Sequence, residues 1–212
     1  MPNWCSNTLE VRGDIEQLKE FVEKSVVKEG IREPDFTMEG LLPTPKELTE
    51  VTSPVIWRGD ENDTEGKAAF EADNKRRLET YGATDWYDWN VSNWGTKWDV
   101  GESHISYDDE DLFIVSYDTA WSPNITFVQK VSKMFPGLEF RLTYMEPGCN
   151  FCGVAHCVDG ELEVEEGDIV LADSNGREVE YDSDLDRYKY IDDGEVIDDE
   201  DFYPEYINQY DY

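Results

Sequence analysis

The densest potential chemistry in the chain lies in four residues within nine positions: Cys149, Cys152, His156 and Cys157. A Cys-x-x-Cys followed by His-Cys supplies the soft donors that zinc takes in a tetrahedral site. The second pair is adjacent, however, and neighbours on a strand point to opposite faces. Four ligands would converge only if Cys5 or His104 folded alongside. Redox catalysis wants the Cys-x-x-Cys at a helix N-terminus, whereas this one runs into Gly153 and a strand-like stretch. Small buried residues at a sheet margin are the plainer reading. Asp182, Asp184, Asp186 and Asp193 match positions 1, 3, 5 and 12 of an EF-hand loop. Arg187 then stands where that loop needs Gly, and Lys189 puts a second cation inside it, so the match fails. The two histidines, His104 and His156, sit in no nucleophile motif, and no G-x-S-x-G, P-loop or H-E-x-x-H occurs. The expectation is a protein that is not an enzyme and that needs no cofactor and no metal.

Charge is the stronger signal. Among 212 residues, 50 are Asp or Glu and 18 are Lys or Arg, a net of −32. Residues 159–212 alone hold 21 acids against Arg177, Arg187 and Lys189, a net of −18. Such a field repels nucleic acid and anionic membrane, so direct binding to either is not expected. Part of the charge is patterned. Glu161, Glu163 and Glu165 alternate with Leu162 and Val164, and Glu178, Glu180, Asp182, Asp184 and Asp186 alternate with Val179, Tyr181, Ser183 and Leu185. On strands, each set would form a row of carboxylates spaced about 6.7 Å apart, roughly twice the rise per phosphate of one DNA strand. Like charges in a row cost stability. Solubility or a high-salt setting explains them blandly; a cationic partner explains them sharply.

The frame for these side chains is readable from period and punctuation. Thr8–Gly13 alternates as a strand, and Asp14 caps a helix whose apolar face is Ile15, Leu18, Phe21, Val22 and Val26, with Gln17 at the capping-box position. A proline-rich stretch follows, then a polar helix over about 64–80 and a short helix opened by Thr84 and stopped at Gly95. Trp98–Tyr107 and Leu112–Trp121 predict two strands, Ser122-Pro123 opens a helix, and Leu138–Tyr144 alternates as a further strand. This order predicts an α+β fold, the ferredoxin-like split βαβ antiparallel sheet with a helical insertion. The ferredoxin-like domain spans 1–150 with its insertion at 28–95. A small acidic β-meander covers 151–186, with hairpin turns at Asp159-Gly160 and Asn175-Gly176. An acidic aromatic tail covers 187–212, pinned, if ordered, by Tyr188, Tyr190, Phe202, Tyr203 and Tyr206. Trp86, Trp89, Trp94 and Trp98 either cap the open sheet face or stack bases as in RRM modules; with so few cations nearby, capping is preferred. Met1–Asn7 has neither a basic region nor an apolar run, and no stretch is long enough to span a membrane, so a reducing host cytosol and free thiols are expected.

Several motifs carry a resemblance. Met1-Pro2-Asn3-Trp4-Cys5-Ser6-Asn7 with Leu9–Gly13, Trp94-Gly95-Thr96-Lys97-Trp98-Asp99, Thr119-Ala120-Trp121-Ser122-Pro123, and Tyr144 through Gly148 to Phe151 and Gly153 occur in order. They resemble the YubB-type ferredoxin-like family of phage and conjugative-plasmid proteins. The resemblance implies a ferredoxin-like fold and a mobile-element origin; the family carries no established activity or catalytic residues to transfer. The acidic stretch after residue 158 lies outside these motifs.

The expected function is therefore non-enzymatic binding: an acidic surface that imitates nucleic acid and occupies the basic site of a nucleic-acid-binding host protein, such as a restriction, CRISPR or other defence nuclease. The residues expected to carry it are Glu161, Glu163, Glu165, Glu178, Glu180, Asp182, Asp184 and Asp186, with Asp192, Asp193, Asp198, Asp199, Glu200 and Asp201. An RRM-like single-strand binder and a metal-bound structural module are the alternatives.

Overall fold

The computed structural model describes residues 2–27, 35–109, 111–198 and 202–210. Strand β1 (Trp4–Gly13) leads into helix α1 (Ile15–Ser25). The Asp14 carboxylate caps α1 by accepting from the Gln17 amide at 2.9 Å. The Gln17 side chain does not close a capping box. Its Oε1 accepts from the Gly137 amide at 3.0 Å and so ties the helix start to a distant turn.

The insertion follows: β2 (Val26–Val27), β3 (Asp35–Phe36), α2 (Lys46–Thr49), α3 (Thr64–Tyr81) and α4 (Trp86–Trp94). Gly82 and Gly95 end α3 and α4 in left-handed conformations. The cap of α4 is Asp85 instead of Thr84: the Asp85 carboxylate accepts from the Asp88 amide at 3.0 Å. The chain then runs through β4 (Ser103–Asp109), β5 (Leu112–Ala120), α5 (Ile125–Met134), β6 (Leu138–Glu146), β7 (Phe151–Val158) and β8 (Glu161–Gly167). The helix opened at Ser122-Pro123 begins later than expected, because the Ser122 hydroxyl donates to the Gly95 carbonyl at 2.7 Å instead of capping. Last come β9 (Val170–Ala172), β10 (Val179–Asp182), β11 (Arg187–Tyr190) and β12 (Glu205–Ile207).

The main sheet is antiparallel in the order β4-β5-β1-β6-β7-β8. Its first four strands, with α1 and α5 on one face, reproduce the split βαβ order. Strands β7 and β8 extend that same sheet past β6. The turn between them carries Asp159 at φ 50° and Gly160 at φ 81°, the signature of a two-residue hairpin. Beyond β8 the chain forms two-stranded pieces, β9 with β12 and β10 with β11. Order therefore reaches well into the segment read as a tail.

Alternation on β1 buries Cys5, Asn7, Leu9 and Val11 beneath the helices and leaves Ser6, Thr8, Glu10 and Arg12 on the other face. Phe21 of α1 is the hub of the helix side. Its ring lies 5.7 Å from Phe113, 5.8 Å from Phe135 and 5.7 Å from Phe140, all edge-on. The insertion also feeds this core. Phe36 stacks on Tyr117 at 5.1 Å, and Met38, Leu41 and Leu48 are buried beside it. Asp99 pins that segment by accepting from Met38 N at 2.8 Å and Thr37 Oγ1 at 2.5 Å. Phe21→Ala is expected to cost about 3–5 kcal/mol of stability in urea denaturation, while Glu23→Ala, exposed on the same helix, stays within about 0.5 kcal/mol.

Candidate functional site

Glu161, Glu163 and Glu165 lie on β8, opposite Val158, His156 and Val154 of β7. Their alternation places all three on the sheet face away from α1 and α5, and all three are exposed. On the other side Leu162 packs partly against the core, whereas Val164 stays exposed. Strand β8 is the last of the sheet, so one of its edges carries no partner strand within that sheet. Among the described residues no ion pair joins these three carboxylates to a Lys or Arg. Charged side chains on an edge strand also discourage edge-to-edge pairing between molecules, a purely structural use of the same residues.

The second expected row does not exist as a ladder. Strand β10 ends at Asp182, whose carboxylate accepts from the amides of Asp184 (3.0 Å) and Leu185 (3.2 Å) and so turns the chain back. Asp186 completes the reversal at φ 53° and accepts from the Tyr181 hydroxyl. Glu178 and Glu180 are exposed, while Asp184 and Asp186 belong to the turn. The pattern Asp-Ser-Asp-Leu-Asp read as alternation, but local carboxylate-to-amide bonds favour a turn.

The three bases of the acidic segment answer many of its acids. Lys189 pairs with Asp182 at 2.9 Å and Glu180 at 3.2 Å. Arg177 reaches Asp192 at 2.7 Å, Asp193 at 2.6 Å and Glu195 at 3.8 Å, and Arg187 reaches Asp198 at 3.6 Å. Asp199, Glu200 and Asp201 lie outside the described residues. These contacts depress several carboxyl pKa values. Lys189 and the Leu185 and Asp184 amides lower Asp182, Arg177 lowers Asp192, and the Arg177 and Asn175 amides with the Tyr190 hydroxyl lower Asp173.

The expected tryptophan cap on the open face is also corrected. Trp89 and Trp94 are buried with their rings 6.0 Å apart on α4, which packs against α5 on the helix side. Trp98 lies 6.5 Å from Trp4, and the Lys97 ammonium sits 4.2 Å from its ring. The middle of the open face is instead a shallow cleft of about 490 Å³ containing Ser6, Thr8, His104, Ser116 and Thr143. The C-terminal stretch borders it. Buried Asn208 donates to the Tyr144 carbonyl at 3.1 Å, and Arg141 donates to the Tyr210 carbonyl at 2.7 Å. Of the rings expected to pin the tail, Tyr188 and Phe202 pack together at 5.5 Å, while Tyr203 and Tyr206 are exposed.

Among the described residues none of the four cysteines forms a disulfide. Cys157 faces the core against the Ser132 hydroxyl at 3.0 Å, its neighbour His156 faces the opposite side, and Cys149 sits in an exposed turn. Among the described residues no three His, Cys, Asp or Glu side chains are grouped to hold a metal ion. Glu146 is buried beside that turn. Burial pushes its pKa up, but hydrogen bonds from Cys149, Gly148 and Asn3 outweigh this and hold it below the usual range. The Cys149 thiol is pushed up by the same carboxylate, which disfavours the nucleophilic thiolate.

The strand order and two one-sided helices define a ferredoxin-like domain. Residues 93–187 match the family model of the ferredoxin-like domain in Api92-like proteins. Over that span, less than half of its length, the chain resembles the YubB-type ferredoxin-like family, whose function is not established. The match takes in β8 and β10, so the similarity reaches past residue 153, where the motifs alone had ended. The uncharacterized protein YubB of Escherichia coli (strain K12) is 33% identical over 78 residues, 36% of this chain and 53% of its own length. The chain therefore spans about half of that relative. The crystal structure of a protein api92 from Yersinia pseudotuberculosis is similar at TM-score 0.45 and 10% identity, over 79% of this chain and 98% of that one.

Carboxylates held below their ordinary pKa stabilise the fold above the unfolded-chain value, about 4, and lose that contribution as pH falls through the lowered folded value. Three such groups, Asp173, Asp182 and Asp192, serve the β10–β11 region. On titration from about pH 6 to about pH 3, NMR signals of Val179–Tyr190 are expected to lose native dispersion before those of Leu9 and Leu142 in the central strands.

Proposed function

We propose that the chain is a non-enzymatic binding protein of mobile-element origin whose acidic face occupies the basic site of a nucleic-acid-binding host protein, with a defence nuclease as the natural target. The observation that carries the reading is the row Glu161, Glu163 and Glu165: three exposed carboxylates on one face of a terminal strand, with no cation paired to them among the described residues. The net charge of −32 extends the same attraction beyond contact range and speeds encounter with a cationic partner. The paired acids Glu180, Asp182, Asp192, Asp193 and Asp198 contribute less, because their charge is already partly answered within the chain. Direct binding of single strands has weaker support, since Ser6, Thr8, Ser116 and Thr143 stand where a stacking sheet would need rings.

The test is retention of bacterial proteins on the immobilised chain at low salt, against a Glu161→Gln, Glu163→Gln, Glu165→Gln variant. A basic nucleic-acid-binding protein should be retained, released by salt, displaced by duplex DNA, and bound about tenfold more weakly by the variant. Retention of no such protein, or equal retention by the variant, refutes the reading. Labelled single-stranded DNA should not shift with the chain even at low salt.

A further inference from the structure

Alternation along β10 and β11 puts Val179 and Tyr181 on one face of the hairpin with their cross-strand partners Tyr190 and Tyr188. Phe202 continues this row of rings: Tyr181 and Tyr188 are 5.3 Å apart, and Tyr188 and Phe202 are 5.5 Å apart. The row has two unlike ends. At one end the Arg177 guanidinium lies over Tyr190, its carbon 3.6 Å from the ring centre, while its nitrogens hold Asp192 and Asp193. The Tyr190 hydroxyl is itself fixed on Asp173 at 3.1 Å. At the other end half of Tyr181 and half of Leu185 remain exposed around a cleft of about 390 Å³ whose wall includes Asp186, Arg187, Tyr188 and Phe202, with the Arg187 guanidinium paired to Asp198 at 3.6 Å.

We propose that this open end binds an arginine side chain of the basic partner, repeating in trans the arrangement that Arg177 makes in cis. The inference rests on the reading above that the partner is cationic, and names the group it presents. A planar guanidinium can lie on a tyrosine ring and still direct its edge nitrogens at carboxylates in the ring plane. Asp186 at the cleft supplies that negative edge, within a segment of net charge −18. A lysine ammonium is more strongly hydrated and lacks the flat face, so the cleft discriminates between the two cations.

Fluorescence anisotropy of the full chain with labelled hexa-arginine and hexalysine tests this at about 0.15 M salt. Hexa-arginine is expected to bind about 3- to 10-fold more tightly than hexalysine. Tyr181→Leu with Tyr188→Leu keeps apolar bulk, removes the ring faces, and should erase the preference while leaving hexalysine affinity unchanged. Should the double variant lose its circular dichroism signature, Tyr181→Leu alone serves, since that ring is half exposed. Equal affinities for the two peptides, or a preference that survives loss of the rings, overturn the inference. The Glu161, Glu163, Glu165 glutamine variant separates the two readings, because it should weaken both peptides alike. That loss without an arginine preference removes the cleft and leaves the acidic-face reading. An arginine preference without retention of any basic host protein does the reverse.

Discussion

The double pairing of β1 governs the molecule. Leu9 sits opposite Val115 of β5 on one side and Leu142 of β6 on the other, and all three are buried beneath α1 and α5. A slip of one residue would turn Leu9 and Val11 to solvent and Thr8 and Glu10 into the core, so the register is strongly specified. That choice propagates outward. Leu142 pairs with Ala155 of β7, and Ala155 pairs with Val164 of β8. The face occupied by Glu161, Glu163 and Glu165 is thus set four strands away from β5, by burial of aliphatic side chains and not by anything the glutamates do themselves.

The acidic load is tolerated because it is arranged unevenly. The helix-side core is mainly apolar and closes through aromatic edge contacts around Phe21 and through the insertion's Phe36 and Met38. After β8 there is little core to use, and the small pieces β9 to β12 rely instead on Arg177, Arg187 and Lys189 as cross-links between acids. Exposed ion pairs contribute little each, but several carboxylates on one guanidinium also stop those carboxylates from repelling one another. The same three cations divide the acidic surface into an answered part, in the C-terminal pieces, and an unanswered part on β8.

Much of the fold was legible residue by residue. The alternation of Thr8–Gly13, the helical spacing of Leu18 and Phe21, the stops at Gly82 and Gly95 and the Asp159-Gly160 turn each have one strong local solution. Glu161, Glu163 and Glu165 were legible for the same reason: two-residue alternation beside a tight turn has few other outcomes. The row from Glu178 to Asp186 was misleading because Asp favours both exposed strand positions and Asx turns, and sequence alternation does not separate them. The tryptophans misled in a different way, since a ring suits any apolar contact and Trp89 and Trp94 found theirs between helices. Nothing local marked Arg177 as the partner of Tyr190, Asp192 and Asp193, thirteen to sixteen positions away.

By itself, then, the amino-acid order determined the element types, the ferredoxin-like class, the sign and location of the charge, and the single carboxylate row on β8. These follow from period, turn chemistry and composition, which act within a few residues. Only the tertiary structure decided that β7 and β8 join the main sheet, that the tail partly covers its open face, and which acids are answered by cations. Those outcomes depend on contacts between residues far apart in the chain, where packing geometry selects one partner among many of the same kind.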